Sequence, residues 1–344
     1  KIPSWWEIEK IWYPKHLSIE QSYSQTTARY KARLLQGDSL TDLTGGFGID
    51  CSFLATGFKS ATYVERQEEL CEIAAHNFPV LNLNHINIKN EDGVTYLQAM
   101  SPVDCLFLDP ARRNEHGGKT VAISDCEPNV AELEELLLQK ANRVMIKLSP
   151  MLDLSLALKE LKQTQEVHIL SVNNECKELL ILLGQTSPAE ISIHCVNLFT
   201  KGTQKEQHFV FTREQEQCSE CTYTDSLETY LYEPNASLLK AGAFRSIAAA
   251  YPVRKLHPNS HLYTSDTFIE NFPGRIFRIV NQCSFNKKEV KENLADLKKA
   301  NVTVRNFPAT VAELRKRIHL AEGGDTYLFA STLNNGQKVL IRCE

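Results

Sequence analysis

Three short stretches of this chain carry residues whose types and spacing can do chemistry together. The first is Asp42-Leu43-Thr44-Gly45-Gly46-Phe47-Gly48, where an apolar run meets the start of a helical pattern. Glycine lets backbone pass close to a ligand and adopt positive φ. A helix start just beyond offers free N–H groups to a carboxylate or phosphate. The second is Glu65, about twenty residues past the first glycine and at the end of the next apolar run. A carboxylate at that spacing can accept both hydroxyls of a ribose held over the turn. The third is Asp109-Pro110-Ala111-Arg112-Arg113, which ends a fourth apolar run. An acid followed by proline can accept from an exocyclic amine and orient its lone pair, while the two arginines can grip a phosphate.

The spacing narrows the ligand. No third glycine stands near residue 50 and no Lys-Ser/Thr follows the turn, so neither the dinucleotide fingerprint nor the phosphate loop fits. Asp42 beside the turn suits a zwitterion, whose ammonium it can hold. Asn90-Glu91-Asp92-Gly93 adds a side-chain acceptor for an adenine amine, a role compatible with Asp92 capping the helix that follows. Each stretch also has a plain structural reading: a ligand-free turn, a solvated strand-end glutamate, a loop ion pair.

Positioning these groups requires strand ends on one side of a sheet. Apolar runs at 40–43, 61–64, 85–88, 103–108, 144–148 and 167–172 alternate with helical periodicity at 49–56, 67–78, 94–100, 129–140 and 152–161. Alternation of this kind predicts an α/β fold, a Rossmann-like doubly wound parallel sheet with right-handed crossovers. Ligands then lie beyond the carboxyl ends of the strands, where Lys147 with Ser149-Pro150, and Asn173 to Lys177, are also expected. Runs at 179–183, 191–198 and 208–212 read as an antiparallel edge. Residues 1–36 read as helical, with Trp5, Trp6, Ile8, Ile11 and Trp12 in a first piece broken at Pro14. A second piece, 19–35, has a polar face (Gln21, Gln25, Thr26, Arg29) that either packs on the next domain or closes over a ligand. Residues 215–225 read as a linker and 236–250 as one helix. From Arg275 the rhythm becomes βαβαββ, a small α+β unit.

Composition agrees with a globular protein: 344 residues, 42% hydrophobic and 23% charged. No apolar run approaches the ~20 residues that span a bilayer. No secretory signal is visible, and the start at Lys1 suggests a trimmed segment. Cys51, Cys71, Cys105 and Cys176 lie in apolar patterns, which predicts buried, reduced thiols in a cytoplasmic protein. The single Cys218-Ser-Glu-Cys221 pair lacks a second ligand pair, so no metal is expected. Net charge is −4, yet residues 273–344 hold 13 Lys+Arg against 7 Asp+Glu. An acidic body with a basic tail suggests a nucleic-acid partner for the tail.

On these residues the chain resembles class I S-adenosylmethionine-dependent methyltransferases. Asp42 to Gly48 is similar to their glycine-rich first motif, Glu65 to the ribose-binding acid and Asp92 to the adenine-side acid. The resemblance implies S-adenosyl-L-methionine as cofactor, bound by Asp42, Thr44, Gly45, Gly46, Phe47, Gly48, Glu65, Arg66, Asp92, Gly93 and Asp109. Asp109-Pro110-Ala111-Arg112 is similar to the Asp/Asn-Pro-Pro-aromatic motif of enzymes that methylate base amines, which implies Asp109, Pro110 and Arg112 as catalytic residues. Ala111 and Arg112 depart from that motif. The aromatic that normally stacks on a flipped base is missing, and Tyr23 or Tyr30 is a candidate replacement. Glu20-Gln21, Thr27-Ala28-Arg29-Tyr30-Lys31, Asp109–Arg113 and Glu175-Cys176-Lys177-Glu178-Leu179 resemble, more narrowly, a bacterial group carrying a THUMP-like C-terminal domain. That group implies a helical segment at 1–36, a methyltransferase domain at 37–214, a ferredoxin-like segment at 228–272 and a THUMP-like domain at 273–344. It also implies methylation of a base nitrogen in tRNA or rRNA. A non-catalytic RNA-binding protein, and a methyltransferase for proteins or small molecules, are the alternatives.

Overall fold

In the computed structural model, which describes residues 2–14, 25–112, 122–186 and 188–344, six strand-forming runs of the first half of the chain build a parallel-type sheet. They are β1 (Ser39–Asp42), β2 (Ser60–Glu65), β3 (Ile86–Asn90), β4 (Val103–Leu108), β5 (Ala141–Leu148) and β6 (Thr164–Val172). β7 (Glu175–Gly184) and β8 (Ser192–Leu198) extend it. Among these eight the order is β8-β6-β7-β5-β4-β1-β2-β3. β1 pairs in parallel with both β2 and β4, so the strand order reverses between β1 and β4. The carboxyl ends of those two strands carry Asp42 and Asp109, which puts both at the switch point where open sheets bind ligands. β4 reads as a continuous apolar run because Cys105, Leu106, Phe107 and Leu108 are all at most 1% exposed, as expected where helices cover both faces.

The helices are α1 (Pro3–Trp6), α2 (Gln25–Ala32), α3 (Ile49–Leu54), α4 (Glu68–Val80), α5 (Gly93–Ala99), α6 (Val130–Lys140) and α7 (Leu154–Glu160). Asp92, Asn129 and Asp153 cap α5, α6 and α7 by accepting backbone N–H bonds, the usual stabilisation of helix starts. The chain divides into two compact units, Lys1–Glu206 and Gln207–Glu344.

Several elements differ from the sequence reading. β7 is not an edge: it lies between β5 and β6, antiparallel to both. β8 is parallel to β6 rather than antiparallel. Asn173 and Asn174, expected at the crevice, form the β6–β7 hairpin turn with φ 49 and 66°, the positive-φ geometry that favours Asn. Among the described residues 2–14, only Pro3–Trp6 is helical, and the stretch that follows is tied to α4. Trp12 exchanges backbone bonds with the Asn77 side chain, and its ring stacks on His76 at 3.9 Å. Gln21 and Tyr23 lie outside the described residues. Gln25 accepts from the Ser4 N–H, and Arg29 lies over Phe53 at 5.4 Å, so both contact neighbouring helices, as the packing reading expects. Cys51, Cys71 and Cys105 are buried, while Cys176 is only partly so.

In the second unit, Arg213–Cys218 is a helix where a linker was expected, started by a Thr212–Gln215 capping box. The alanine-rich stretch splits into Ala236–Ala241 and Phe244–Ala250 at Gly242, whose φ of 77° ends the first helix. A seven-stranded sheet runs through the unit. Its longest-range element, Gly274–Ser284, pairs first with Tyr230–Pro234 and then with Lys338–Cys343. One strand thereby serves two apolar cores, one around Leu231, Phe277 and Phe329 and one around Leu294, Leu314 and Leu328. Lys287–Asn293 and Val311–Ile318 are the helices of the βαβαββ order, with strands Lys299–Val304 and Ala321–Thr332.

Candidate active site

The glycine turn is shaped by the ring beneath it. A Cβ on Gly45 would lie 2.3 Å from the Tyr63 ring, and Gly46 and Gly48 have φ of 53 and 80°. Tyr63 donates to the Gly46 carbonyl, so the turn is pinned against β2 from below. A side chain at Gly45 is excluded by contact, and at the other two by backbone conformation. Gly93 is equally constrained: its Cβ would meet the Leu43 carbonyl at 2.1 Å. The loop after β3 therefore sits directly on the end of β1.

Glu65 is 8% exposed. One oxygen accepts from the Gly46 N–H and the other from the Gln67 N–H, each at 2.9 Å. Each carboxylate oxygen has a second lone pair, so Glu65 can still take two ribose hydroxyls while bracing the turn. Arg66 pairs with Glu127 at 3.3 Å. Asp92 takes its backbone donors, Val94 and Thr95, on Oδ1, so Oδ2 can accept from a ligand amine. Phe47 packs on Trp5 at 5.3 Å and on Tyr13 at 5.6 Å.

The acids face each other across the switch point. Asp42 is 1% exposed and accepts from the Thr44 N–H at 3.0 Å. Burial pushes its carboxyl up to about 8, helped by the neighbouring Asp50 and Asp109 and opposed by Thr44 and Lys147. The Asp109 N–H donates to Thr44 Oγ1 at 2.6 Å, which locks the two loops together. Asp109 is also raised by burial, against the pull of Lys147. Lys147 Nζ lies 2.6 Å from Asp109 Oδ2 and 2.7 Å from Asp50 Oδ2. Lys31 Nζ lies 2.9 Å from Asp50 Oδ1 and 2.6 Å from Glu178 Oε2. Burial would raise Asp50, but the two lysines hold it down to about 2.

Of the residues expected from the sequence, Asp42, Thr44 to Gly48, Glu65, Asp92, Gly93, Asp109 and the buried Pro110 meet in one place. Ala111 and Arg112 form a two-residue ladder with Cys126–Glu127, and Arg113 lies outside the described residues. Tyr30 is only 6% exposed and its hydroxyl bonds His168 Nδ1 at 2.9 Å, so its ring is not open to stack on a base. Tyr23 lies outside the described residues. Lys31, Asp50 and Glu178 were missed. The available signal was the acid Asp50, two residues past the last glycine, for which the expected Lys147 at the crevice needed a partner.

Glu166, His168 and His194 bring ligand-type atoms within 4.8 Å of one another. The two imidazoles stack at 4.3 Å and 16°, so their in-plane lone pairs do not converge as a tetrahedral ion requires.

A ferredoxin-like domain model matches residues 230–273 and a THUMP domain-like model matches residues 274–344. A crystal structure of a Porphyromonas gingivalis W83 protein assigned as a methyltransferase superposes with a TM-score of 0.90 at 37% identity, covering 99% of this chain and 86% of that one. A modification subunit of a type I restriction enzyme from Vibrio vulnificus YJ016 gives 0.40 at 12% identity, over 58% of this chain and 56% of that one. A Streptococcus mutans protein assigned as a methyltransferase, in complex with SAH, gives 0.33 at 13%, over 46% and 94%. No curated protein matches this chain. Among the described residues, no helix is long and apolar enough to cross a membrane.

Proposed function

We propose that this chain, which belongs to the class I S-adenosylmethionine-dependent methyltransferase family with a THUMP-like C-terminal domain and is a relative of the Porphyromonas gingivalis protein, methylates a base nitrogen in RNA. The observation that carries the reading is the juxtaposition of the pinned glycine turn, Glu65 and Asp109 at one switch point. The residues fit the cofactor. The Gly45 cradle has no room for a side chain, Glu65 retains two lone pairs, and Asp42 is a desolvated acid ready to pair with a cation. When bound, S-adenosyl-L-methionine supplies an electrophilic methyl group on a sulfonium.

Glu65 holds the ribose, Asp92 faces the adenine amine, and Asp42 faces the amino-acid end. Asp109 Oδ1 and the Pro110 carbonyl accept from the target amine and turn its lone pair toward the methyl. Catalysis is then mainly positioning. Arg112 remains a proposed phosphate contact near the acceptor. We read the chain as a helical segment (1–36), a methyltransferase domain (37–214), a ferredoxin-like segment (228–272) and a THUMP-like domain (273–344).

tRNA or rRNA is the proposed acceptor. Exposed lysines and arginines of the THUMP-like region, among them Lys287, Lys288, Lys291, Lys316 and Arg317, offer a phosphate-binding surface. The departure at Ala111 and Arg112 favours a second reading, an RNA-binding protein that keeps the fold without transfer. Incubation with labelled S-adenosylmethionine and RNA from cells lacking the protein separates them: incorporation supports transfer, whereas RNA binding without incorporation supports the second reading.

A further inference from the structure

The crevice is underlain by a chain of charges of which the functional reading above uses only Asp109, at the exposed end. Glu178, Lys31, Asp50, Lys147 and Asp109 follow one another at 2.6, 2.9, 2.7 and 2.6 Å, alternating in sign. They come from β7, α2, α3, β5 and the loop after β4. Side-chain exposure is 0% at Lys31, 1% at Glu178, 2% at Lys147 and 9% at Asp50, but 29% at Asp109. The series therefore opens to solvent at one end only, at the residue that faces the acceptor. Stability alone is a poor reason for it, since buried ion pairs are often no better than apolar residues of equal size. Geometry is a better one. The Asp109 backbone is held by Thr44 and its Oδ2 by Lys147, which fixes the carboxylate plane and leaves Oδ1.

We propose that Lys147 is a positioning residue that keeps Asp109 ionised with Oδ1 presented to the acceptor amine, and that Asp50, fixed in turn by Lys31 of the N-terminal helix α2, holds Lys147 in place. The proposal deepens the reading of Asp109 given above and rests on it. Among the described residues, the charged groups that act on Asp109 are Lys147 on β5, Asp50 on α3, Lys31 on α2 and Asp42 on β1. Desolvation drives the Asp109 carboxyl upward and Lys147 opposes it. Without Lys147 the carboxyl keeps its proton to higher pH, and a protonated acid donates where an acceptor is needed.

The test uses the full chain with Lys147→Met, Lys147→Arg and the double variant Lys147→Met/Asp50→Asn. The double variant removes one charge of each sign, which guards against a single variant that does not fold. The first readout is the ¹³Cγ titration of Asp109 in aspartate-labelled protein, with the resonance identified by Asp109→Asn. The expected result is a midpoint at least about one unit higher in the methionine variants, with the arginine variant close to wild type. The second readout is methyl transfer to RNA against pH at saturating S-adenosylmethionine. The acid limb should move up by the same amount, with kcat at neutral pH down about tenfold or more and cofactor Kd changed less than about threefold. An unmoved Asp109 titration in folded variants overturns the proposal, as does a fall in kcat with an unmoved acid limb. A shifted titration in a protein whose wild type transfers no methyl group supports the positioning of Asp109 and overturns the methyltransferase reading instead.

Discussion

The switch point of the first unit and the C-terminal region of the second handle charge in opposite ways. In the first, lysines and carboxylates are buried, interleaved and each held by more than one element, as Asp50 is by Lys31 and Lys147. In the second, cations such as Lys287, Lys288, Lys316 and Arg317 lie exposed on two helices of the 273–344 region, which holds 13 Lys+Arg against 7 Asp+Glu. Buried pairs are poorly screened by salt, whereas exposed charges more than a Debye length apart are screened almost fully. The first arrangement fixes atoms; the second, on the proposed reading, would attract a polyanion without specifying it. A chain that must hold a small cofactor rigidly and capture a large acceptor loosely needs both.

That contrast can be broken at several points. The largest effect is expected at Asp109. Asp109→Ala should lower methyl transfer about 10³-fold, in the range for loss of a positioned catalytic group, while cofactor affinity by calorimetry stays within a few-fold. Full turnover in that variant would place the chemistry elsewhere. Glu65→Ala comes next. Losing two charge-assisted bonds to the ribose at about 1.5–3 kcal/mol each should weaken S-adenosylmethionine about 100-fold or more, and equal affinity would sink the cradle assignment.

A smaller effect tests the second unit. Replacing Lys287, Lys288 and Lys291 with alanine should weaken RNA binding about tenfold and flatten the salt dependence by about two units of slope. Cofactor binding should show neither change. Strong salt dependence of cofactor binding together with salt-independent RNA binding would invert the comparison.

The smallest effect is on pH. The Asp42 carboxyl stands at about 8 against an ordinary 3.8, so below pH 8 the free protein carries that proton. A cationic ligand group favours the ionised form, so binding should release up to one proton and affinity should rise from pH 6 to 8, then level off. Calorimetry in buffers of different ionisation enthalpy measures the release, and Asp42→Asn should abolish it. For stability the signs are opposed. A raised acid stabilises the fold below its unfolded value, and that contribution is lost as pH rises toward 8. The depressed Asp50, at about 2, stabilises above pH 4, a contribution lost as pH falls toward 2.

The parts of the fold and site that were legible in the sequence are those encoded locally. The glycine turn, Glu65 and Asp109-Pro110 each sit at the junction of an apolar run with a turn or helix start, and a single stretch of pattern is enough to find them. The βαβαββ rhythm after Arg275 was legible for the same reason. Pairing between distant stretches was not. The run at 179–183 looks like any apolar strand, and nothing local says that it inserts between β5 and β6 rather than adding at the edge. Lys31 and Glu178 stand 147 positions apart, and each alone is an ordinary charged residue. Trp12 looked helical because its spacing fits, but the Asn77 side chain takes its backbone bonds. Tyr30 offered an aromatic where one was wanted, and only its burial against His168 removes it from that role.

The most direct test of the central claim is mass spectrometry of nucleosides from the RNA of cells lacking the protein, before and after treatment with it and S-adenosylmethionine. A base-methylated nucleoside that is absent from the untreated RNA, appears with the wild-type chain and fails to appear with Asp109→Ala is the expected result. The same nucleoside inventory in all three samples would contradict it.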